Sequence, residues 1–261
     1  MKVVILCGGF GTRIREVAEN IPKPMIPIGD KPILWHIMKY YSHFGYNDFI
    51  LCLGHKSEII KNFFINYKME TLDFTLCMGT KESIVYHNDD HSDLDWRITF
   101  AETGLGAMTG ARIKRVQKYL QNEECFLLTY GDGVGNINLN DLVSFHLAHG
   151  KLLSLTAVRP PGRFGELAHD SKGVVTEFNE KPQATGGRIS GGFFVCRYEI
   201  FKYLDSSEDL VFEKGPLEAI TRDRQLMAFE HNGFWQPMDT RRDFLLLNEL
   251  VKSQKAPWVV W

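Results

Sequence analysis

The chain has 261 residues, 44% of them hydrophobic and 24% charged, with a net charge of −2. This is the composition of an ordinary folded protein, long enough for one large domain or two modest ones, and it excludes nucleic-acid binding through a general basic field. No apolar run approaches the roughly 20 residues of a membrane span, and the amino terminus lacks the basic region, apolar core and cleavage site of a secretory signal. A cytoplasmic protein with no membrane partner is expected. Cys7, Cys52, Cys77, Cys125 and Cys196 are odd in number and widely spaced, with no C-x-x-C, so they predict small buried apolar groups rather than disulfides or zinc ligands.

Short apolar runs alternate with helix-period segments. In chain order the pattern predicts a strand at 2–7, a helix at 32–44, a strand at 47–53, a helix at 56–67 and strands at 72–78 and 97–102. A helix at 110–120, a strand at 124–129, a helix at 140–149 and strands at 152–158, 173–179 and 192–197 follow. A helix at 215–223, a strand at 226–230 and a helix at 241–253 complete the chain. Pro32 suits a first helical turn, and Gly45 a carboxyl-terminal stop. Alternation over the first 150 residues predicts an α/β fold, with a mostly parallel sheet flanked by helices. After Leu152 the pattern is richer in strands and glycine turns, which predicts a β-rich lobe added to the same sheet.

Residues 6–13 read L-C-G-G-F-G-T-R directly after Val3, Val4 and Ile5. Glycine costs conformational entropy on folding but lets a backbone approach something large, and Arg13 implies that the something is an anion. The spacing fails a dinucleotide fingerprint, because Ile14 stands where the third glycine would be needed. A P-loop fails too, since no Gly-Lys-Ser/Thr occurs. A purely structural turn stays open, but it has no use for Arg13 or for Lys23, held between Pro22 and Pro24. Asp132, between Gly131 and Gly133 after an apolar run, is either a cation ligand at a strand's carboxyl end or a turn aspartate. Asp239 precedes the last helix and could be only its N-cap. Arg112, near a helix start, could pair with phosphate or be solvated.

L-C-G-G-F-G-T-R followed by P-K-P-M-I-P-I-G-D-K-P-I-L (22–34) resembles the signature of the sugar-phosphate nucleotidyltransferases. The resemblance continues through Y-G-D-G (130–133), P-P-G-R-F-G (160–165), F-N-E-K-P (178–182), G-G-F-F-V (191–195) and F-W-Q-P-M-D-T (234–240), and covers nearly the whole chain. The last of these, together with W-H-I-M-K (35–39) and M-T-G-A-R (108–112), narrows the resemblance to members that transfer a cytidylyl group. It implies a single Rossmann-like domain over 1–261, with about 1–150 binding the nucleotide and about 151–261 the acceptor. It also implies Mg²⁺-dependent in-line attack by α-D-glucose 1-phosphate on the α-phosphorus of CTP, giving CDP-glucose and pyrophosphate. Both reactants are anions, so positioning and electrostatics carry such a transfer and no protein nucleophile is needed.

On this resemblance Leu6, Gly8, Gly9, Phe10, Gly11 and Thr12 line the nucleotide, together with Thr103, Thr109 and Gly131. Arg13, Lys23 and Asp132 form the catalytic set, with Arg13 on the β- and γ-phosphates and Lys23 near the α-phosphate. Asp132 and Asp239 hold Mg²⁺, so two acids far apart in the chain must meet in space. Glu180 serves the sugar hydroxyls and Lys181 the sugar phosphate, and Ser190 and Gly192 complete the acceptor side. The resemblance further implies a homo-oligomer, a hexamer.

Two rivals stand beside this reading. A catalytically silent relative would be expected to have damaged Arg13, Lys23, Asp132 or Asp239, and all four are present. The same chemistry with another pyrimidine nucleotide or acceptor is the other rival. The family pattern would place an asparagine before G-G-F-F and a small residue after R-F-G, where this chain has Ser190 and Glu166. Serine loses the amide donors and glutamate adds a charge, so an amino or modified sugar phosphate or a non-sugar phosphate is an alternative acceptor. His87 and His91 have metal-like spacing but sit in a polar segment that reads as a solvated loop, while His146 and His149 read as packed or exposed helix positions. Trp35, Phe193, Phe194 and Trp235 read as core or pocket wall.

Overall fold

The computed structural model describes residues 1–9, 14, 20–79, 83–87, 94–160, 166–179 and 187–261, with the backbone alone at 166–169 and 177–179. Val3–Leu6 is apolar at every position and buried on both faces, the signature of a strand in the middle of a parallel sheet. It pairs in parallel with Asp48–Leu53 on one side and Cys125–Tyr130 on the other. Asp48–Leu53 pairs in parallel with the edge strand Arg97–Glu102. Beyond Cys125–Tyr130 lie Ile189–Arg197, Leu153–Val158 and Leu226–His231, completing a seven-stranded sheet. Ile189–Arg197 is antiparallel to both its neighbours, so the sheet is mixed, and the later strands extend the same sheet as the composition predicts.

Side-chain alternation divides the core between two faces of this sheet. Val3, Ile5, Phe49, Leu51, Leu127 and Val195 pack on one face with the helix Ile33–His43. Val4, Ile50, Phe126, Leu128 and Phe194 pack on the other with Ile113 of the helix Thr109–Arg115. Phe193 and Phe194 belong to these layers, and Trp35 is buried against Trp96 and Trp261.

Several boundaries differ from the sequence pattern for local reasons. The 56–67 segment breaks at Asn66 into the helices Ser57–Ile65 and Tyr67–Thr71. The 110–120 segment ends as an α-helix at Arg115 and continues as a 3-10 turn, Gln117–Tyr119. Pro32 is extended (ψ 151°) and pairs with Pro27, so the helix begins one residue later; Gly45 ends the following turn at φ +84°. The strand at 72–78 forms as Phe74–Cys77 but lies outside the main sheet, in a hairpin with Ser83–Tyr86. Val175–Asn179 likewise pairs with Glu166–His169. All five cysteines are free; four are buried, and Cys77 on the hairpin is exposed. His146 and His149 are packed, both bonding to the buried hydroxyl of Ser154. His87 bonds to Thr75 on the hairpin, and His91 lies outside the described residues. Among the described residues, no helix is long and apolar enough to cross a membrane.

Candidate active site

Because Val3–Leu6 and Cys125–Tyr130 are parallel neighbours, the loops that leave their carboxyl ends emerge side by side. The Gly131 amide donates to the Leu6 carbonyl at 3.0 Å, joining the glycine loop to the Gly-Asp-Gly turn. This is the edge at which open α/β sheets bind ligands. A cleft of about 470 Å³ opens there, lined by Leu6, Gly8, Gly9, Lys23, Gly131 and Asp132 among others.

Asp239 reaches the cleft through a short antiparallel ladder. Gly133–Gly135 pairs with Trp235–Pro237, and the Met238 amide donates to the Asp132 carbonyl at 2.8 Å, so residues 132 and 239 leave the ladder together. Thr240, not Asp239, caps the last helix. The Thr240 hydroxyl accepts from the Asp243 amide, while the Asp243 carboxylate accepts from the Thr240 amide. The Asp239 carboxylate is therefore free to face the cleft, and the N-cap reading of this residue is replaced.

Lys23, in a one-turn 3-10 segment between its prolines, places its ammonium between the two acids. Nζ lies 2.5 Å from Asp132 Oδ2 and 2.6 Å from Asp239 Oδ1. Burial pulls the lysine pKa down, but the charge of Asp132 and the hydrogen bonds to both carboxylates outweigh it, holding Lys23 above its ordinary value. It is an ammonium throughout the neutral range.

The glycine loop has two different reasons for its glycines. A Cβ at Gly8 would lie 2.1 Å from Arg112 Nη1, so only glycine allows that guanidinium to pass beneath the loop. At Gly9 a Cβ would meet nothing within 4 Å, which leaves open space on the cleft side. Neither residue has a positive φ, so close approach rather than backbone strain explains the pair.

Arg112 is neither solvated nor free to clamp a phosphate, and both sequence alternatives are corrected. It is 4% exposed. Nη1 donates to Leu53 O (2.9 Å), Thr103 Oγ1 (2.8 Å) and Gly104 O (2.8 Å), and Nη2 to Gly8 O (2.9 Å). Burial lowers its pKa, and no carboxylate forms an ion pair with it among the described residues. The fork geometry of arginine thus staples three loops through their carbonyls.

Thr103 is 1% exposed and does not line the cleft; its hydroxyl donates to Leu53 O at 2.6 Å and accepts from Arg112. Thr109 does line the cleft, donating to Glu213 Oε2 at 2.6 Å and accepting from the Phe212 amide at 2.9 Å. Tyr130, also in the lining, donates its hydroxyl to Glu213 Oε1. Burial first, then the charge and hydrogen bond of Glu213, push the Tyr130 phenol upward, so it stays protonated.

On the acceptor side, Gly192 holds φ +76°, and a Cβ there would lie 2.5 Å from the Tyr130 ring, so two constraints require glycine. Ser190 is exposed, with its hydroxyl 3.4 Å from the Gly192 amide, and Trp235 Nε1 donates to the Gly191 carbonyl at 2.7 Å. Glu166 pairs with Asn179 in strand register, immediately before the Glu180 position. Phe10, Gly11, Thr12, Arg13, Glu180 and Lys181 lie outside the described residues. Glu213 is the site residue that sequence reasoning missed: it is exposed, in no motif, and joins the cleft only through two hydroxyls.

A mixed sheet carrying a glycine loop, a lysine and two converging acids at its carboxyl edge defines a nucleotidyl transferase, and the chain belongs to that family, whose model matches residues 2–254. It is 47% identical over 261 residues, covering both chains in full, to a glucose-1-phosphate cytidylyltransferase of Salmonella typhi. It is 42% identical, again over both full chains, to a probable glucose-1-phosphate cytidylyltransferase of Bacillus subtilis. The crystal structure of HddC from Yersinia pseudotuberculosis shares the fold with a TM-score of 0.68 at 23% identity, covering 96% of this chain and 99% of that one.

Proposed function

We propose that the protein transfers the cytidylyl group of CTP to α-D-glucose 1-phosphate, releasing pyrophosphate and forming CDP-glucose. The observation that carries this reading is the Lys23–Asp132–Asp239 cluster at the mouth of the cleft, in a chain 47% identical along its whole length to a glucose-1-phosphate cytidylyltransferase.

Two carboxylates converging on a space already filled by one ammonium are the donor set that suits Mg²⁺, which takes one or two carboxylates and completes its shell with phosphate oxygens and water. No group of three acid, histidine or cysteine side chains placed to hold a metal ion occurs among the described residues, so phosphates and water would have to supply the remainder. Asp132 and Asp239 would hold the ion, which supplies charge neutralisation to the phosphates of CTP. Lys23 is assigned to the α-phosphate, where its ammonium would offset the charge that develops during attack. The Arg112 staple holds the loop backbones in place, so they need no reorganisation as the reaction proceeds. Lys181 is assigned to the acceptor phosphate, and Arg13 to the β- and γ-phosphates.

A homo-oligomer and a reducing, cytoplasmic compartment are further parts of this reading. The Phe74–Cys77/Ser83–Tyr86 hairpin exposes Phe74, Leu76, Ile84 and Val85, and a two-stranded hairpin is marginal alone in water, which supports association between copies. Five free cysteines support the compartment.

The test is pyrophosphate release with CTP, UTP, dTTP, ATP and GTP crossed against a panel of phosphorylated acceptors that includes glucose 1-phosphate. The fastest turnover is expected for CTP with glucose 1-phosphate. Release with another acceptor only would replace the acceptor and point to Glu166 and Ser190.

A further inference from the structure

Cytosine and uracil differ at ring position 4, where cytosine carries an amino donor and uracil a carbonyl acceptor. A protein hydroxyl ordinarily offers both a proton and lone pairs, so it accommodates either base and selects neither. It becomes selective only when its proton is committed elsewhere.

Among the described cleft-lining residues, the uncharged side chains with an oxygen are Thr109 and Tyr130. Both donate their proton to the same carboxylate. Thr109 Oγ1 donates to Glu213 Oε2 at 2.6 Å, and the Tyr130 hydroxyl donates to Glu213 Oε1. Thr109 Oγ1 also accepts from the Phe212 amide at 2.9 Å, which fixes the hydroxyl's orientation and leaves it one lone pair. The Arg112 guanidinium, which also lines the cleft, is spent on the Thr103 hydroxyl and the carbonyls of Gly8, Leu53 and Gly104. The two uncharged hydroxyls of the cleft, Thr109 and Tyr130, therefore present acceptors only.

We propose that Glu213, which itself lines no part of the cleft, sets the base preference by holding the protons of Thr109 and Tyr130, so that the Thr109 oxygen accepts from the 4-amino group of cytosine and repels the 4-carbonyl of uracil or thymine. The proposal rests on the reading of this cleft as the CTP site. Glu213 acts through its two hydroxyl partners and is a positioning residue. Sites built around a committed hydrogen bond reject the mismatched isostere far more strongly than apolar pockets do.

The test compares CTP with UTP in wild type, Glu213→Gln and Thr109→Val, by kcat/KM and by calorimetric Kd with no acceptor present. Glutamine offers one acceptor oxygen instead of two, so one hydroxyl must turn its proton elsewhere; valine removes the reading oxygen while keeping the shape. In both variants the CTP:UTP ratio of kcat/KM and of Kd is expected to fall by about tenfold or more, with UTP gaining relative to CTP. A purely structural role would weaken both nucleotides equally. An unchanged ratio in both variants of a CTP-selective wild type overturns this proposal and leaves the assigned reaction standing. A wild type that binds and uses UTP as well as CTP overturns the base assignment and this proposal together.

Discussion

Asp132 and Asp239 share a single ammonium: Lys23 Nζ stands 2.5 Å from one carboxylate and 2.6 Å from the other. Two acids this close repel unless a cation lies between them. In the free protein Lys23 is that cation, and the same position is where a divalent ion would bind. A divalent ion held by the two acids would occupy the space that Lys23 fills, and the lysine would then be free to face the substrate.

Replacing Asp132 or Asp239 with asparagine removes one formal charge from this space while keeping the shape. Turnover is expected to fall by about a hundredfold or more in each variant, with thermal stability nearly unchanged because both groups are partly exposed. Initial rates at saturating Mg²⁺, alongside a melting curve, check this. Near-normal rates for either variant would return that aspartate to a structural role.

Lys23→Met leaves the two acids facing each other without their cation. Mn²⁺ binding without nucleotide, followed by electron paramagnetic resonance, is expected to tighten by about tenfold or more, since no ammonium has to be displaced. Weaker Mn²⁺ binding than in wild type would show that the lysine and the metal do not share the space. Turnover should fall despite the tighter metal, because the variant lacks the ammonium assigned to the α-phosphate.

Arg112→Met strips its hydrogen bonds from the carbonyls of Gly8, Leu53 and Gly104. The expected loss is roughly 2 kcal/mol of stability, with a raised KM for CTP as the loops separate. Arg112→Lys should not restore it, since a lysine presents its donors from one point rather than as a fork. Urea denaturation and steady-state kinetics on both variants measure the two effects, and full recovery in the lysine variant would remove the staple.

His146 gives the fold a pH dependence away from the site. Burial, then the neighbouring His149 and Arg197, lower its pKa from 6.5 to about 4. Between those values the unfolded chain binds the proton and the folded chain does not, so stability falls as pH drops from 6.5 towards 4, by roughly 3 kcal/mol at most. His146→Leu should flatten that slope in melting temperature against pH. An unchanged slope would assign the acid sensitivity to another group.

Much of the fold was legible because its signals are local. Apolar runs with period-2 or helical spacing mark most strands and helices to within two residues. The exceptions are the helix at 110–120, which stops at Arg115, the helix at 56–67, which splits at Asn66, and the strand at 192–197, which begins at Ile189. Gly45 ends its helix by a conformation that glycine adopts easily. The glycine loop and Lys23 between two prolines fit no general phosphate-binding spacing, and it was their resemblance to the sugar-phosphate nucleotidyltransferases, borne out by the family match over residues 2–254, that pointed to the reaction class. Tertiary structure alone decided which groups meet. The N-cap role of Asp239 passed to Thr240 because the Gly133–Gly135/Trp235–Pro237 ladder turns residue 239 towards Asp132. Arg112 became a staple because the helix Thr109–Arg115 carries it beneath Gly8, and Glu213 entered the site through hydroxyls from two distant segments. Each of these contacts depends on long-range register and packing, which no window of neighbouring residues encodes.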